Sequence, residues 1–342
     1  MKHVSPFPRI GFIKTSISKG KVDGRMGNRL WILALVCLLA LSAVLAGCSK
    51  AKNEAEAAMY EEDQDAGYRR TVLYYATDDG YIVPVMKRIP WEEGIGKAAL
   101  GYLVDNASNR TAADQMGLTA VVPEGVTFSL RIGEEGAAVL DLAGLTKLGD
   151  AEAEQAMVTG IVNTLTEFDS IQTVRITLDG AKAALLPHGT DISGAFAALP
   201  LNVEEGEVAV SSDNAHAITL YFPNASASLN VPVTRYAEAQ ATLSSVMQAL
   251  LDGPKDASLA AFPEGTKLLS AYIADGVACV DLSGEFKEAS ETEGLCAALQ
   301  TSITLTANEL EPVYGTDIYV EGEAYALHSI QVNAPVYVNE FK

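Results

Sequence analysis

From residue 72 onward, apolar and polar positions fall into short strand-like runs separated by stripes of helical period. Val72 to Tyr75 reads as a strand. A second extended piece follows around Val83-Pro84-Val85, where proline argues for a sheet edge or a strand start. Ile95, Ala98, Ala99, Tyr102 and Leu103 then share one face of a helix. Pro123-Glu124-Gly125 opens a hairpin, Val126 to Ile132 with Ala137 to Leu142. A second helix carries Ala153, Ala156, Met157, Gly160, Ile161, Thr164, Leu165 and Phe168 in an i, i+3, i+4, i+7 stripe, and Val174 to Leu178 closes the series as a strand.

The same order of signals then returns. Leu73-Tyr74-Tyr75 matches Leu220-Tyr221-Phe222, Val83-Pro84-Val85 matches Val231-Pro232-Val233, and Leu103-Val104-Asp105 matches Leu250-Leu251-Asp252. Pro123-Glu124-Gly125 matches Pro263-Glu264-Gly265, and Leu140-Asp141-Leu142 matches Val280-Asp281-Leu282. Thr164-Leu165-Thr166 matches Thr304-Leu305-Thr306, and Ile176 to Gly180 matches Ile318 to Gly322. The drop in offset after Asp105 places extra residues between Asp105 and Pro123 in the first copy, where Asn106 to Gly117 supplies loop chemistry. In the second copy Leu243, Val246, Met247, Leu250 and Leu251 form the first helix face, and Asp275-Gly276 marks the hairpin turn. The expected class is α+β: two tandem ββαββαβ modules, each a mixed or antiparallel sheet with two helices on one face, and each large enough to bury its own core.

Ahead of these modules, Leu30 to Ala46 is an uncharged apolar run preceded by Arg25 and Arg29, the form of a secretory signal. It ends in Leu45, Ala46, Gly47 and Cys48, which resembles the lipobox of bacterial lipoproteins, in which the cysteine is diacylated and becomes the new N-terminus. A transmembrane anchor is the competing reading. Met26 lies just before the run, so the residues ahead of it read as a misassigned upstream start. The expected organisation is a signal over 1–47, an acidic tether over 48–70, a first module over 71–200, a linker over 201–215 and a second module over 216–342.

Charge sharpens this picture. The chain of 342 residues has 24 basic and 44 acidic side chains, a net −20. Residues 1–47 hold seven of the basic and one of the acidic side chains, which leaves the chain from Cys48 at −26. That surface excludes nucleic acid as a partner and repels anionic lipid, so membrane contact is expected through a diacylglyceryl group on Cys48 alone. Two acyl chains suffice for stable anchoring.

The residue inventory offers little chemistry. His188, His216 and His328 have no ligand spacing, so neither metal nor cofactor is expected. Asp141 and Asp281 recur but belong to different modules, and they read as turn or capping acceptors. Ser283-Gly284 follows a strand with no base nearby in sequence, and no nucleophile or phosphate-loop motif is present. Cys279 and Cys296 read as buried apolar residues, with a disulfide between them left open by the oxidising compartment.

Taken together, the Leu-Tyr-Tyr/Phe strand, Val-Pro-Val, Leu250 to Pro254 (LLDGP), Phe262 to Thr266 (FPEGT) and Val280 to Ser283 (VDLS) resemble the GerM-type domain, GerMN or Germane, of sporulation and germination lipoproteins. The first copy departs from this pattern at Val104 to Gly117 and at Leu142-Ala143. The resemblance implies no enzyme. It implies a lipid-anchored scaffold outside the cytoplasmic membrane, assembling with envelope or sporulation-complex proteins or with further copies of itself. The runner-up is an extracellular binding or cell-wall-active lipoprotein holding a ligand between the copies.

Overall fold

In the computed structural model the described residues are 67–146, 149–204, 206, 215–327 and 337–341. The first copy opens with an antiparallel hairpin, β1 (Tyr68–Thr77) and β2 (Ile82–Pro90), extended on the other side of β1 by the short β3 (Leu118–Thr119). A second sheet has the order β4 (Thr127–Ile132), β5 (Ala137–Ala143), β6 (Thr173–Leu178). β4 and β5 are antiparallel, whereas β5 and β6 are parallel and joined by a crossover helix. The helices are α1 (Ile95–Tyr102), α2 (Ala107–Asp114) and the crossover α3 (Ala151–Thr166). The second copy repeats this plan with β7 (His216–Pro223), β8 (Asn230–Ala237), α4 (Leu243–Leu251), β9 (Leu268–Ala274), β10 (Val277–Leu282), α5 (Leu295–Asn308), β11 (Gly315–Val320) and β12 (Glu323–Ala326). Among the described strands of this copy β7 and β8 form a two-stranded sheet, and the other four follow the order β12-β11-β10-β9. The class is the expected α+β, with the strands of each module divided between a hairpin and a separate mixed sheet.

Local chemistry accounts for the element ends. Asp150 accepts from Ala153 N at 2.9 Å to start α3, and Thr242 and Ser245 form a reciprocal capping box on α4. Asp275 and Gly276 both have positive φ (51° and 80°), the conformation a two-residue hairpin turn requires. Glu321 and Gly322 (55° and 78°) make the same kind of turn into β12, a strand the periodicity did not reveal.

Three sequence expectations need correction. The stretch after Asp105 is not only loop: Asn106 accepts from Ser108 N and Asn109 N and nucleates α2. The tether boundary at residue 70 is too late, because Tyr68 to Arg70 pair with Arg88 to Pro90 in the first hairpin. The two cores are not separate, because one continuous cluster of buried apolar side chains draws Leu73, Val83 and Ile161 from the first copy and Leu220, Val231 and Ile303 from the second.

Helix α3 shows why its stripe widened. Met157, Ile161 and Leu165 are buried as expected, but so are Glu154, Val158 and Val162. The non-helical segment after β6 crosses that second face. There Leu199 N and O bond the amide of Asn163 at 2.7 and 3.0 Å, and His188 N and Thr190 N donate to the Glu154 carboxylate at 2.6 and 3.2 Å.

Candidate functional site

The two copies are held together by their tails, each of which pairs with the other copy. Leu201 O accepts from Thr234 N at 3.0 Å, and Glu204 N donates to Thr234 O at 2.9 Å, which places the end of the first copy along β8. Met86 N donates to Asn339 O at 2.8 Å, and Phe341 N donates to Met86 O at 2.9 Å, which places the end of the second copy along β2. Residues 201–204 are therefore part of the packed body and not a free linker, and residues 339–341 belong structurally to the first copy's edge.

One asparagine completes each exchange. Asn202 accepts from Ile82 N at 2.8 Å and donates to Ile82 O at 2.8 Å and to Pro232 O at 2.6 Å. Asn339 accepts from Asn230 N at 2.8 Å and donates to Asn230 O and to Pro84 O, both at 3.0 Å. The repeated Val-Pro-Val explains this pattern. A proline at a sheet edge leaves its carbonyl without a neighbouring strand, and here an amide from beyond the end of a copy takes that place.

Between the copies lies a cavity of about 670 Å³. The repeated tyrosines of β1 and β7 reach it. The Tyr74 hydroxyl donates to Glu167 Oε1 at 2.5 Å, and the Tyr221 hydroxyl donates to Glu309 Oε1 at 2.6 Å. Their backbones are fixed alike, Tyr74 N donating to Thr164 Oγ1 and Tyr221 N to Thr306 Oγ1, each at 3.1 Å. These bonds equate Thr164 with Thr306, two residues away from the Thr164–Thr304 match read in the sequence. Burial, reinforced by the neighbouring carboxylates, pushes both phenols well above the usual tyrosine range. Burial also raises the Glu167 carboxyl, against the opposing hydrogen bond from Tyr74.

The residues singled out in the sequence do not converge here. Cys48 and the lipobox residues Leu45, Ala46 and Gly47 lie outside the described residues, as does His328. His188 offers its backbone N–H to Glu154, and His216 is exposed at the start of β7. Asp141 accepts from Thr177 Oγ1 at 2.6 Å and Gly180 N at 2.8 Å, and Asp281 accepts from Gly322 N at 3.0 Å, so both close the turn after the last helix-linked strand. Ser283 Oγ accepts from Lys267 N at 2.9 Å and closes a hairpin end. Cys279 and Cys296 are both free thiols. Among the described residues no group of three or more His, Cys, Asp or Glu side chains is arranged to hold a metal, and no helix is long and apolar enough to cross a membrane. The signal that sequence reading passed over is the repeated Thr-x-x-Glu ending α3 and α5, Thr164 to Glu167 and Thr306 to Glu309.

Comparison with known proteins agrees with the duplication. The family described as "Germane: Sporulation and spore germination" matches twice, at residues 72–184 and 219–326. The chain is 29% identical over 273 residues to the spore germination protein GerM of Bacillus subtilis (strain 168), covering 77% of this chain and 74% of that protein. The solved structure of the tandem GerMN domains of the sporulation protein GerM from Bacillus subtilis is similar with a TM-score of 0.62 at 26% identity, covering 80% of this chain and all of that one. With two matches spanning more than half its length, the chain belongs to the Germane family of sporulation and spore germination proteins.

Proposed function

We propose that this chain is a lipid-anchored, non-enzymatic interaction protein on the outer face of the bacterial cytoplasmic membrane, where its tandem modules assemble with envelope protein partners during sporulation or germination. The observation that carries this reading is the joining of the two modules into one body by exchanged tails and a continuous core. Such a body fixes the spacing and orientation of two like surfaces, which is what a bracket between partners needs and a pair of loosely linked domains lacks. The similarity to a spore germination protein supplies the context. The net −26 of the chain from Cys48 favours partners with basic faces, reached by electrostatic steering.

Two measurements test it. Cys48→Ser is expected to move the protein from the membrane fraction to the medium, and continued retention overturns lipid anchoring. Crosslinking with mass spectrometry on intact sporulating cells is expected to recover envelope proteins or further copies of the chain. Recovery of neither, together with normal sporulation and germination of a deletion strain, overturns the scaffold reading.

A further inference from the structure

The cavity between the copies has a chemical bias that the scaffold reading does not use. Its walls include Val72, Met86, Leu199 and the two edge prolines Pro84 and Pro232, with the hydroxyl side chains of Thr219, Thr234 and Tyr337 among its polar groups. Its charged groups are Glu167, Glu309 and Asp169, all three exposed to solvent at its mouth. No lysine, arginine or histidine lines it among the described residues. Both tyrosine hydroxyls spend their proton on a glutamate. The Asn163 amide is likewise occupied by Leu199, and the Asn339 amide by Pro84 and Asn230. What these groups leave for a visitor is carboxylate acceptors and aromatic surface, with negative charge and apolar walls.

The two pairs act on one space. The ionisation of Tyr74 is opposed by its own Glu167 and by Glu309 of the other copy, and that of Tyr221 by Glu309 and by Glu167. A volume of about 670 Å³ lies within the range of small-molecule and side-chain pockets. An anion would meet three carboxylates and no cation, and a neutral apolar molecule would leave those carboxylates facing an uncharged guest. A primary ammonium matches the site, since it is all donor, positively charged and compact. The apolar walls and tyrosine rings fit a methylene stem behind it.

We propose that the cavity between the two copies binds an alkylammonium group on an apolar stem, with Glu167 and Glu309 as its carboxylate acceptors and Tyr74 and Tyr221 holding those carboxylates in place. The chemistry is shared by a lysine side chain presented by a protein partner and by a free aliphatic diamine. The site is independent of the scaffold reading, because a diamine would fill it whether or not the protein joins an assembly.

Isothermal titration of the purified full chain in detergent micelles tests this with cadaverine, with its neutral analogue 1,5-pentanediol, and with N-acetyl-lysine methylamide. Cadaverine is expected to bind at least about tenfold more tightly than the diol, the scale of a charge-assisted hydrogen bond. The double variant Glu167→Gln/Glu309→Gln, which keeps an acceptor for each tyrosine, is expected to lose about that factor. Equal binding of amine and diol, or an unchanged affinity in a double variant that still melts cooperatively, overturns the proposal. Should the double variant not fold, carbon-13 tyrosine spectra of the unaltered chain decide. Cadaverine shifting the Tyr74 and Tyr221 signals supports the site, and unmoved signals overturn it. Tighter binding of the lysine amide assigns the site to a partner's side chain, and tighter binding of cadaverine assigns it to a free diamine.

Discussion

Lys87 and Arg235 stand at equivalent places in the two copies, yet each meets a different residue of the other copy's tail. Lys87 Nζ lies 4.2 Å from the ring centroid of Phe341, whereas Arg235 Nε and Nη2 bond Glu204 Oε2 at 2.9 and 2.7 Å. Arg235 also donates to Ala249 O and Gly253 O, and both it and Glu204 are nearly buried, with side chains 8% and 11% exposed. The exchange of tails is thus shared by both copies, but the forces sealing each end differ: a desolvated ion pair in one, a cation over an aromatic ring in the other.

The two seals should respond unequally to truncation. Glu204→Ala strands a buried guanidinium and is expected to cost about 3 kcal/mol, the low end for breaking a buried pair. Lys87→Ala gives up a ring contact and stem packing and is expected to cost about 1 kcal/mol. Urea unfolding of the two variants checks the ranking, and equal losses would show that the ion pair is no stronger a seal than the ring contact.

The paired asparagines permit a stricter test, because aspartate has their shape without their donors. In Asn202→Asp a carboxylate oxygen faces the Ile82 and Pro232 carbonyls, and in Asn339→Asp it faces those of Pro84 and Asn230. Each change is expected to cost about 3 kcal/mol at neutral pH, the scale of a buried charge set against acceptors. Part of the loss should return as pH falls toward about 4, because a carboxylate set against acceptors has its pKa raised above the unfolded aspartate value and so regains a donor proton first in the folded chain. Unfolding curves at two pH values read this directly. Variants with no loss would mean that the edge carbonyls are satisfied by other donors.

Most elements were legible because they bury one face at a regular period. The hairpin turn at Asp275-Gly276, the α3 stripe and the edge position of Val-Pro-Val all follow from local chemistry, and the structure has them. What was not legible depends on contacts too short or too distant to leave a period. Tails of three and four residues, pairing with Met86 and Thr234, have no pattern of their own. Asn106 looked like a loop residue because the asparagine that starts a helix and the one that makes a turn are the same in sequence. Tyr74 and Tyr221 were visible as a repeated motif, but the glutamates they bond sit 93 and 88 residues further on.

Gly160 marks where a helix meets a strand too closely for a side chain. A Cβ there would lie 2.7 Å from Val121 Cγ2 and 2.9 Å from Tyr74 O. Helix propensity alone would make Gly160→Ala stabilising by about 1 kcal/mol. The clash has the opposite sign and is expected to win by about 1–2 kcal/mol, because one of the obstructing atoms is backbone. Ser302 shares the corresponding interface in the second copy and donates to Tyr221 O there, so Ser302→Ala should cost about 1 kcal/mol through the lost bond. A higher melting temperature for Gly160→Ala would show that β1 and α3 separate at little cost.

Glu154 gives the fold an acid sensitivity that can be assigned to one side chain. It has no solvent exposure, and burial by itself would raise its pKa. The backbone N–H groups of His188 and Thr190 outweigh that effect and hold the carboxyl below the usual glutamate value. A carboxyl depressed on folding contributes stability that is complete above its unfolded pKa of about 4.3 and is lost as pH falls through the folded value. Glu154→Gln retains one acceptor, cannot ionise, and is expected to cost about 2 kcal/mol at pH 7. Its penalty should shrink steadily as pH drops below about 4, since the unaltered chain then loses the same charge. Thermal melts of both proteins from pH 7 to pH 3 measure this, and curves that stay parallel across the range would remove Glu154 from the account of acid unfolding.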